Sequence, residues 1–287
     1  MTQIQHQLSD WFCLPMNAGS PQTFVIGDIH GQADVLEGVL DQVARTPRSC
    51  QDRQLIFLGD VIDRGPKSLK AVELVLNART AADVDSVVFL PGNHELMLVD
   101  GIDSPMEYLP DWLDNGGERV LEEAFPGHSA RLLKDLSEMA KEAIGQRFLR
   151  AIAASPSYYQ QADVIFVHGG LDPSQPADAF LSKPKFGDWC GEHWAWIREP
   201  FLDWTDGWRS PTGQGCIVIH GHTPVAQTLL PLSDFIGRAD RLESHHRLCL
   251  DAGAAAAPQI AWAELRGQNY RIALSAEESF ETQKDDC

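Results

Sequence analysis

Gly59-Asp60-Val61-Ile62-Asp63-Arg64-Gly65 is the stretch that decides how this chain is read. It follows Leu55-Ile56-Phe57-Leu58, an apolar run of strand length bounded by polar residues and a glycine. Two carboxylates, Asp60 and Asp63, and the adjacent Arg64 stand where the chain leaves that strand. Gly65-Pro66 then fits a turn into a helix, because proline is tolerated at the first helical position. Carboxylates so placed can hold a metal, orient an acid or cap the next helix, and this stretch taken alone favours the cap.

The same arrangement recurs along the chain. Thr23–Ile26 is an apolar strand ending in Gly27-Asp28-Ile29-His30-Gly31, and Leu36, Val39, Leu40 and Val43 then predict a helix over 32–44. Leu69, Val72 and Leu76 mark a second helix, and the strand Val87–Leu90 ends in Pro91-Gly92-Asn93-His94-Glu95. Strand, polar loop and helix in repetition predict a largely parallel sheet with ligand-binding loops at the carboxyl ends of its strands. Over 96–161 the pattern changes to a helical insertion packed over or beside the site, with a break at Trp112–Gly117. Val164–Val167 leads into His168-Gly169-Gly170, and Cys216–Ile219 into His220-Gly221-His222-Thr223-Pro224. Between these lies an irregular layer containing Trp189, Trp194, Trp196, Trp204 and Trp208, read as packing in preference to a base-stacking platform, with Arg198 inside it. Strands near Ile260–Leu265 and Tyr270–Leu274 are expected to complete a second sheet. Residues 1–20 read as a weakly structured lead-in, 21–275 as a single domain, and 276–287 as a frayed acidic tail.

Composition excludes several classes. With 23 basic against 41 acidic residues the net charge is −18, which argues against a dedicated nucleic-acid binder, whose basic surface displaces counterions. It leaves phosphate chemistry open, because bound divalent cations reverse the local field. No apolar run is long enough to cross a bilayer, and the first twenty residues lack the basic and apolar blocks of a signal peptide, so a cytoplasmic setting is expected. The six cysteines form no C-x-x-C pair, which argues against a thiolate zinc site.

The chemistry lies at the strand ends: Asp28 and His30, Asp60 and Asp63, Asn93 and His94, His168, and His222. Singly, each has a plainer reading: Asp28 as a helix cap, Asp63 and Arg64 as a surface ion pair, His168 and His222 as hydrogen-bonded histidines. Together, imidazole, carboxylate and amide oxygen suit a borderline metal such as manganese, iron or zinc better than calcium. A shared carboxylate with ligands from several loops would hold two ions about 3.5–4 Å apart, as in two-metal hydrolases.

Gly-Asp-Ile-His-Gly (27–31), Gly-Asp-Val-Ile-Asp-Arg-Gly (59–65) and Gly-Asn-His-Glu (92–95) resemble the three signature blocks of the phosphoprotein phosphatase family of calcineurin-like metallophosphoesterases, a family related to symmetrical bis(5'-nucleosyl)-tetraphosphatases. His168-Gly169-Gly170, Gly221-His222-Thr223-Pro224 and Leu250-Asp251-Ala252-Gly253-Ala254 agree, so the resemblance runs from Thr23 to Ala254. It implies an α/β sandwich of two mixed β-sheets flanked by helices, with a helical insertion. It implies that Asp28 and His30 bind one metal, that Asp60 bridges, and that Asn93, His168 and His222 complete the second. His94 would be the general acid, oriented by Asp63, with Arg64, Asn93 and Arg198 on the phosphate. The two ions would be divalent, manganese first, with iron or zinc as alternatives. The implied mechanism is in-line attack on phosphorus by a metal-bridging hydroxide without a phosphoenzyme. The implied substrate is phosphoprotein of the serine/threonine type. A symmetrical dinucleoside tetraphosphate is the alternative, which the Trp112–Gly117 motif does not discriminate. Pro224 stands where phosphodiesterase branches place a further histidine, so His220 is read as supporting the site, not ligating, and Glu95 as a local cap. A non-catalytic phosphate-binding scaffold is disfavoured because every expected ligand position is filled.

Overall fold

The computed structural model describes residues 3–187 and 189–278. Strands β1 (Ile4–Leu8), β2 (Phe12–Cys13), β3 (Gln22–Ile26), β4 (Arg53–Phe57) and β5 (Ser86–Phe89) belong to one sheet. Strands β6 (Tyr158–Gln161), β7 (Val164–Val167), β8 (Trp208–Arg209), β9 (Gly215–His220), β10 (Asp240–Arg241) and β11 (Arg247–Cys249) build the facing one. The chain then returns to the first sheet with β12 (Gln259–Arg266) and β13 (Asn269–Glu277). The first sheet has the order β1-β13-β12-β3-β4-β5, parallel across β3-β4-β5 and antiparallel elsewhere. The second runs β10-β11-β9-β7-β6, with β11, β9 and β7 parallel. Both sheets are therefore mixed, as the resemblance implies.

Strands that are apolar throughout are explained by burial on both faces. Phe24, Ile26, Leu55 and Phe57 join the core that includes Val35, Leu36 and Val39 of helix α1 (Ala33–Arg45). Their alternate neighbours Val25, Ile56 and Leu58 join Val164, Phe166, Ile217 and Ile219 in the core between the sheets. A period of two thus divides each run between two cores.

Helix α2 (Ser68–Leu76) follows the opening stretch, and α3 (Ala78–Ala81) leads to β5. Asn93, His94 and Glu95 form the first turn of α4 (Asn93–Asp103). Beyond it α5 (Pro105–Trp112), α6 (Glu118–Ala124) and α7 (Leu133–Ala154) form the helical insertion. No helix among the described residues is long and apolar enough to cross a membrane.

Three expectations change. Residues 4–8 are not a loose lead-in but an edge strand, in register from Ile4 opposite Glu277 to Leu8 opposite Ala273. Only Ile4, His6 and Leu8 face inward, too short a pattern to stand out in the sequence. β12 and β13 complete the first sheet, not the second, since a two-faced apolar strand carries no mark of its partner. Trp112–Gly117 keeps the expected break: two helices meet there at a kink, where Gly116 takes a non-helical φ of 109°. Strand β13 runs to Glu277, into the expected tail, whose residues from 279 on lie outside the described residues.

Candidate active site

The carboxyl ends of β3, β4, β5, β7 and β9 bring the sequence-identified residues together. Asp28, His30, Asp60, Asp63, Asn93, His94, His168 and His222 are all buried, whereas Arg64 and Arg198 are exposed. The first two loops are laced by backbone bonds: the N–H groups of Ile29 and His30 both donate to Asp60 O, at 3.0 and 2.8 Å. His30, Asp60, Asp63, Arg64 and His222 all have φ between 44° and 71°, so five of the eight described non-glycine residues with positive φ belong to this site. Backbone of this kind persists only where its surroundings over-determine it.

Glu95 supplies part of that constraint. Its carboxylate accepts the N–H groups of Asp60, Val61 and Gly92, each at 2.8 Å. It is more than the local cap read from sequence, because it ties the helix bearing Asn93 and His94 to the loop bearing Asp60. The approach is close enough that a Cβ on Gly92 would lie 2.1 Å from Asp60 Oδ1.

Three imidazoles are oriented by carbonyls. His30 Nδ1 donates to Ile62 O (3.0 Å), His168 Nδ1 to Leu58 O (2.8 Å), and His222 Nε2 to Trp196 O (3.1 Å). A neutral imidazole has one N–H, so the inward nitrogens carry lone pairs. His30 Nε2 faces Asp60 Oδ2 at 3.5 Å, and His168 Nε2 faces Asp60 Oδ1 at 3.4 Å. Asn93 Oδ1 is met by His168 Nε2 at 3.0 Å and His222 Nδ1 at 2.9 Å. Lone pair against lone pair is repulsive, and a cation between them reverses the sign. An inward nitrogen opposite a carbonyl-anchored one is also the usual arrangement of metal-binding histidine. The donor set therefore fits divalent ions. His30, Asp60 and His94 form one group within ligating reach, and Asp60, His168 and His222 another, so Asp60 is common to both. Asp28 belongs to neither group; its carboxylate accepts the His222 N–H, at 3.2 and 3.0 Å to its two oxygens.

The local field is negative and draws positive charge of either kind, proton or metal ion. Burial opposes a charge on His168, yet Asp60 beside it raises its pKa above the ordinary value. Burial, reinforced by Asp251 and Asp60, holds Asp28 well above the carboxylate range. Burial pushes Asp251 up to about 6, against the Gly253 N–H that donates to it at 2.8 Å.

His94 differs from the other histidines. Its Nδ1 meets Asp63 Oδ2 at 2.7 Å, and its backbone N–H donates to Asp60 Oδ1 at 3.1 Å. Burial lowers His94 to about 4 and raises Asp63 well above its ordinary value, so it disfavours charge on both members of the pair. Arg64 Nε donates to Asn115 O at 3.2 Å. Burial lowers the His222 pKa well below its ordinary value, with His168 and then Arg198 adding to it. His220 points elsewhere: Nδ1 donates to Gly221 O at 3.0 Å and Nε2 faces Arg247 Nη1 at 3.4 Å, in keeping with a supporting place.

Trp112 and Ser68 are site residues without an assigned role in the sequence reading. The Trp112 indole N–H donates to Asp63 Oδ2 at 3.0 Å, and Ser68 Oγ accepts the Asp63 N–H at 3.0 Å. The signal for Trp112 was a tryptophan followed closely by Asn-Gly-Gly. Ser68 carried no signal.

Comparison with known proteins gives the same outline. The calcineurin-like phosphoesterase family model matches residues 22–257. The asymmetrical bis(5'-nucleosyl)-tetraphosphatase PrpE of Bacillus velezensis is 27% identical over 212 residues, covering 70% of this chain and 77% of its own. The PrpE of Bacillus subtilis, of the same description, is 25% identical over 214 residues, covering 71% and 79%. Among solved structures, the cold-active protein-tyrosine phosphatase of a psychrophilic Shewanella species superimposes with a TM-score of 0.50 at 16% identity, over 85% of this chain and 75% of that one, a likeness of fold alone. Because the family model spans most of its length and the strand-end loops carry a donor set fit for metal, the chain belongs to the calcineurin-like phosphoesterase family, a family of metal-dependent phosphoric ester hydrolases.

Proposed function

We propose that the protein is a two-metal phosphomonoesterase acting on serine/threonine-type phosphoprotein, by in-line displacement at phosphorus with His94 as general acid. The observation that carries this reading is the buried His94–Asp63 pair, 2.7 Å apart, beside an acceptor-only cage. In the proposal Asp28 and His30 hold one ion, Asn93, His168 and His222 the other, and Asp60 both. Two divalent cations there, manganese first and iron or zinc as alternatives, would acidify water near neutral pH and offset phosphoryl charge.

The chain's own groups do the rest. Arg64 and Arg198 meet the phosphoryl oxygens, where a planar guanidinium donates two parallel bonds. Asn93 adds its amide. His94 passes a proton to the departing oxygen, and Asp63, meeting Nδ1, orients the ring for that transfer. A phosphoprotein is favoured because both arginines are exposed at the mouth, while the tryptophans nearby are engaged with one another. Trp189 stacks on Trp196 with ring centroids 6.3 Å apart and donates to Asp100 at 2.6 Å.

A second reading, hydrolysis of a dinucleoside tetraphosphate, is favoured by the names of the relatives. Those names are of the asymmetrical kind, so this reading predicts ATP and AMP from diadenosine tetraphosphate; the symmetrical alternative predicts two ADP.

The test compares specificity constants for phosphoserine, phosphothreonine and phosphotyrosine peptides and for diadenosine tetraphosphate, with added Mn²⁺ and with chelator. We expect phosphopeptide turnover that chelation abolishes. Inertness toward every phosphate ester under any divalent ion sinks the enzymatic reading. His94→Asn should cut kcat by about 10²–10⁴-fold with metal content nearly unchanged. Loss of bound metal would instead make His94 a ligand.

A further inference from the structure

Trp112–Gly117 of the helical insertion reaches the catalytic loop at two residues, Asp63 and Arg64. Trp112 is fully buried, and its indole N–H donates to Asp63 Oδ2, the oxygen that also meets His94 Nδ1. The other oxygen, Asp63 Oδ1, is buried without a hydrogen-bond partner among the described residues. The indole thus fixes which oxygen the imidazole meets and holds the carboxylate plane toward it. Three residues later the same segment turns to the arginine. Asn115 O accepts Arg64 Nε at 3.2 Å, and Gly116 O accepts the Arg64 backbone N–H at 3.3 Å. Arg64 is otherwise an exposed side chain, so these two carbonyls restrict a group with many rotamers. A Cβ on Gly116 would lie 2.7 Å from Arg64 Cγ, and one on Gly117 2.3 Å from Trp112 Cε2. The segment therefore closes on the arginine and the indole at once.

We propose that Trp112–Gly117 is a positioning clamp for the reaction. Trp112 aligns the Asp63–His94 pair for proton delivery, and the Asn115 and Gly116 carbonyls aim Arg64 at the phosphoryl oxygens. In the proposal these residues act through His94 and Arg64, and the inference rests on the roles given to those two above.

The two halves have different kinetic signatures. Trp112→Phe keeps an aromatic ring but removes the N–H. In a series of aryl phosphates with Mn²⁺, kcat should fall about tenfold for phenyl phosphate and much less for 2,4-dinitrophenyl phosphate, whose phenolate leaves without a proton. KM and metal per chain should stay constant. Gly116→Ala displaces Arg64 instead: the inhibition constant for inorganic phosphate should rise about tenfold, and kcat/KM should fall equally for all leaving groups. Leu109→Ala, in the same buried insertion core but, among the described residues, without a hydrogen bond to Asp63 or Arg64, measures the effect of loosened packing. A uniform loss in Trp112→Phe, or the same leaving-group dependence in Leu109→Ala, overturns the proposal. If Trp112→Phe does not fold, Gly116→Ala decides, and an unchanged phosphate inhibition constant overturns it. A wild-type protein inert toward the whole series rejects the functional reading, a different failure from a wild-type enzyme indifferent to Trp112.

Discussion

His220 illustrates how a residue next to the proposed metal ligands can be governed by packing instead. Its ring lies edge-on to Phe201 with centroids 4.8 Å apart, and both nitrogens are matched, one to a carbonyl and one to Arg247. Burial, with Arg247 adding to it, lowers its pKa from 6.5 to about 3. Between those values the unfolded chain takes up a proton that the native protein refuses. Stability contributed by this group is therefore full above the unfolded pKa and is lost as pH falls through the window from 6.5 toward 3. The slope amounts to about 1.4 kcal/mol per pH unit well inside that window. Replacing His220 by Gln should flatten the fall in urea-unfolding free energy between pH 6.5 and 4.5 by close to one proton, and an unchanged slope would place the uptake elsewhere. The identity of the ligand-type residues was legible because each follows an apolar run directly. Contacts such as Glu95 to the Asp60 loop, 35 positions apart, leave no local pattern and could not be read.

At the scale of elements, β3, β4, β5, β7 and β9 were all legible from their apolar runs, and so was α1, whose inward residues repeat at helical spacing. Partner choice was not. A strand buried on both faces looks the same in either sheet, so the return of β12 and β13 to the first sheet had to come from the structure. β1 was hidden for the opposite reason: as an edge strand it shows only Ile4, His6 and Leu8 to the interior. Its role is nonetheless structural, since it covers β13 and packs on α1, where a Cβ on Gly38 would lie 3.0 Å from Ile4. Deleting residues 1–9 should cost about 1–3 kcal/mol in stability and expose the β13 edge to association. Melting and light scattering of the truncated protein check this, and an unshifted melt with no association would make β1 dispensable.

Over the whole molecule, the site gathers an unusual burden of buried acid. Asp28, Asp60, Asp63, Glu95 and Asp251 are each at most 3% exposed. Without compensating cations such groups repel one another or keep protons, as the raised pKa values of Asp28, Asp63, Glu95 and Asp251 indicate, burial being the first cause of each. Divalent ions should therefore stabilise the fold as well as serve the chemistry. At a free concentration 100-fold above its dissociation constant an ion adds about 2.7 kcal/mol, or roughly 5–10 °C for a chain of this size. Calorimetry with and without chelator should show that difference, reversed by Mn²⁺, and coincident melts would mean that the acids are neutralised by protons alone.

The proposed ligands are also divided between the two layers. Asp28, His30, Asp60 and Asn93 follow strands of the first sheet, whereas His168 and His222 follow β7 and β9 of the second. Ions held between these groups would sit where a rivet does. The layers could not then slide past each other without stretching coordination bonds, so mechanical stiffness across the sandwich should rise and fall with metal occupancy.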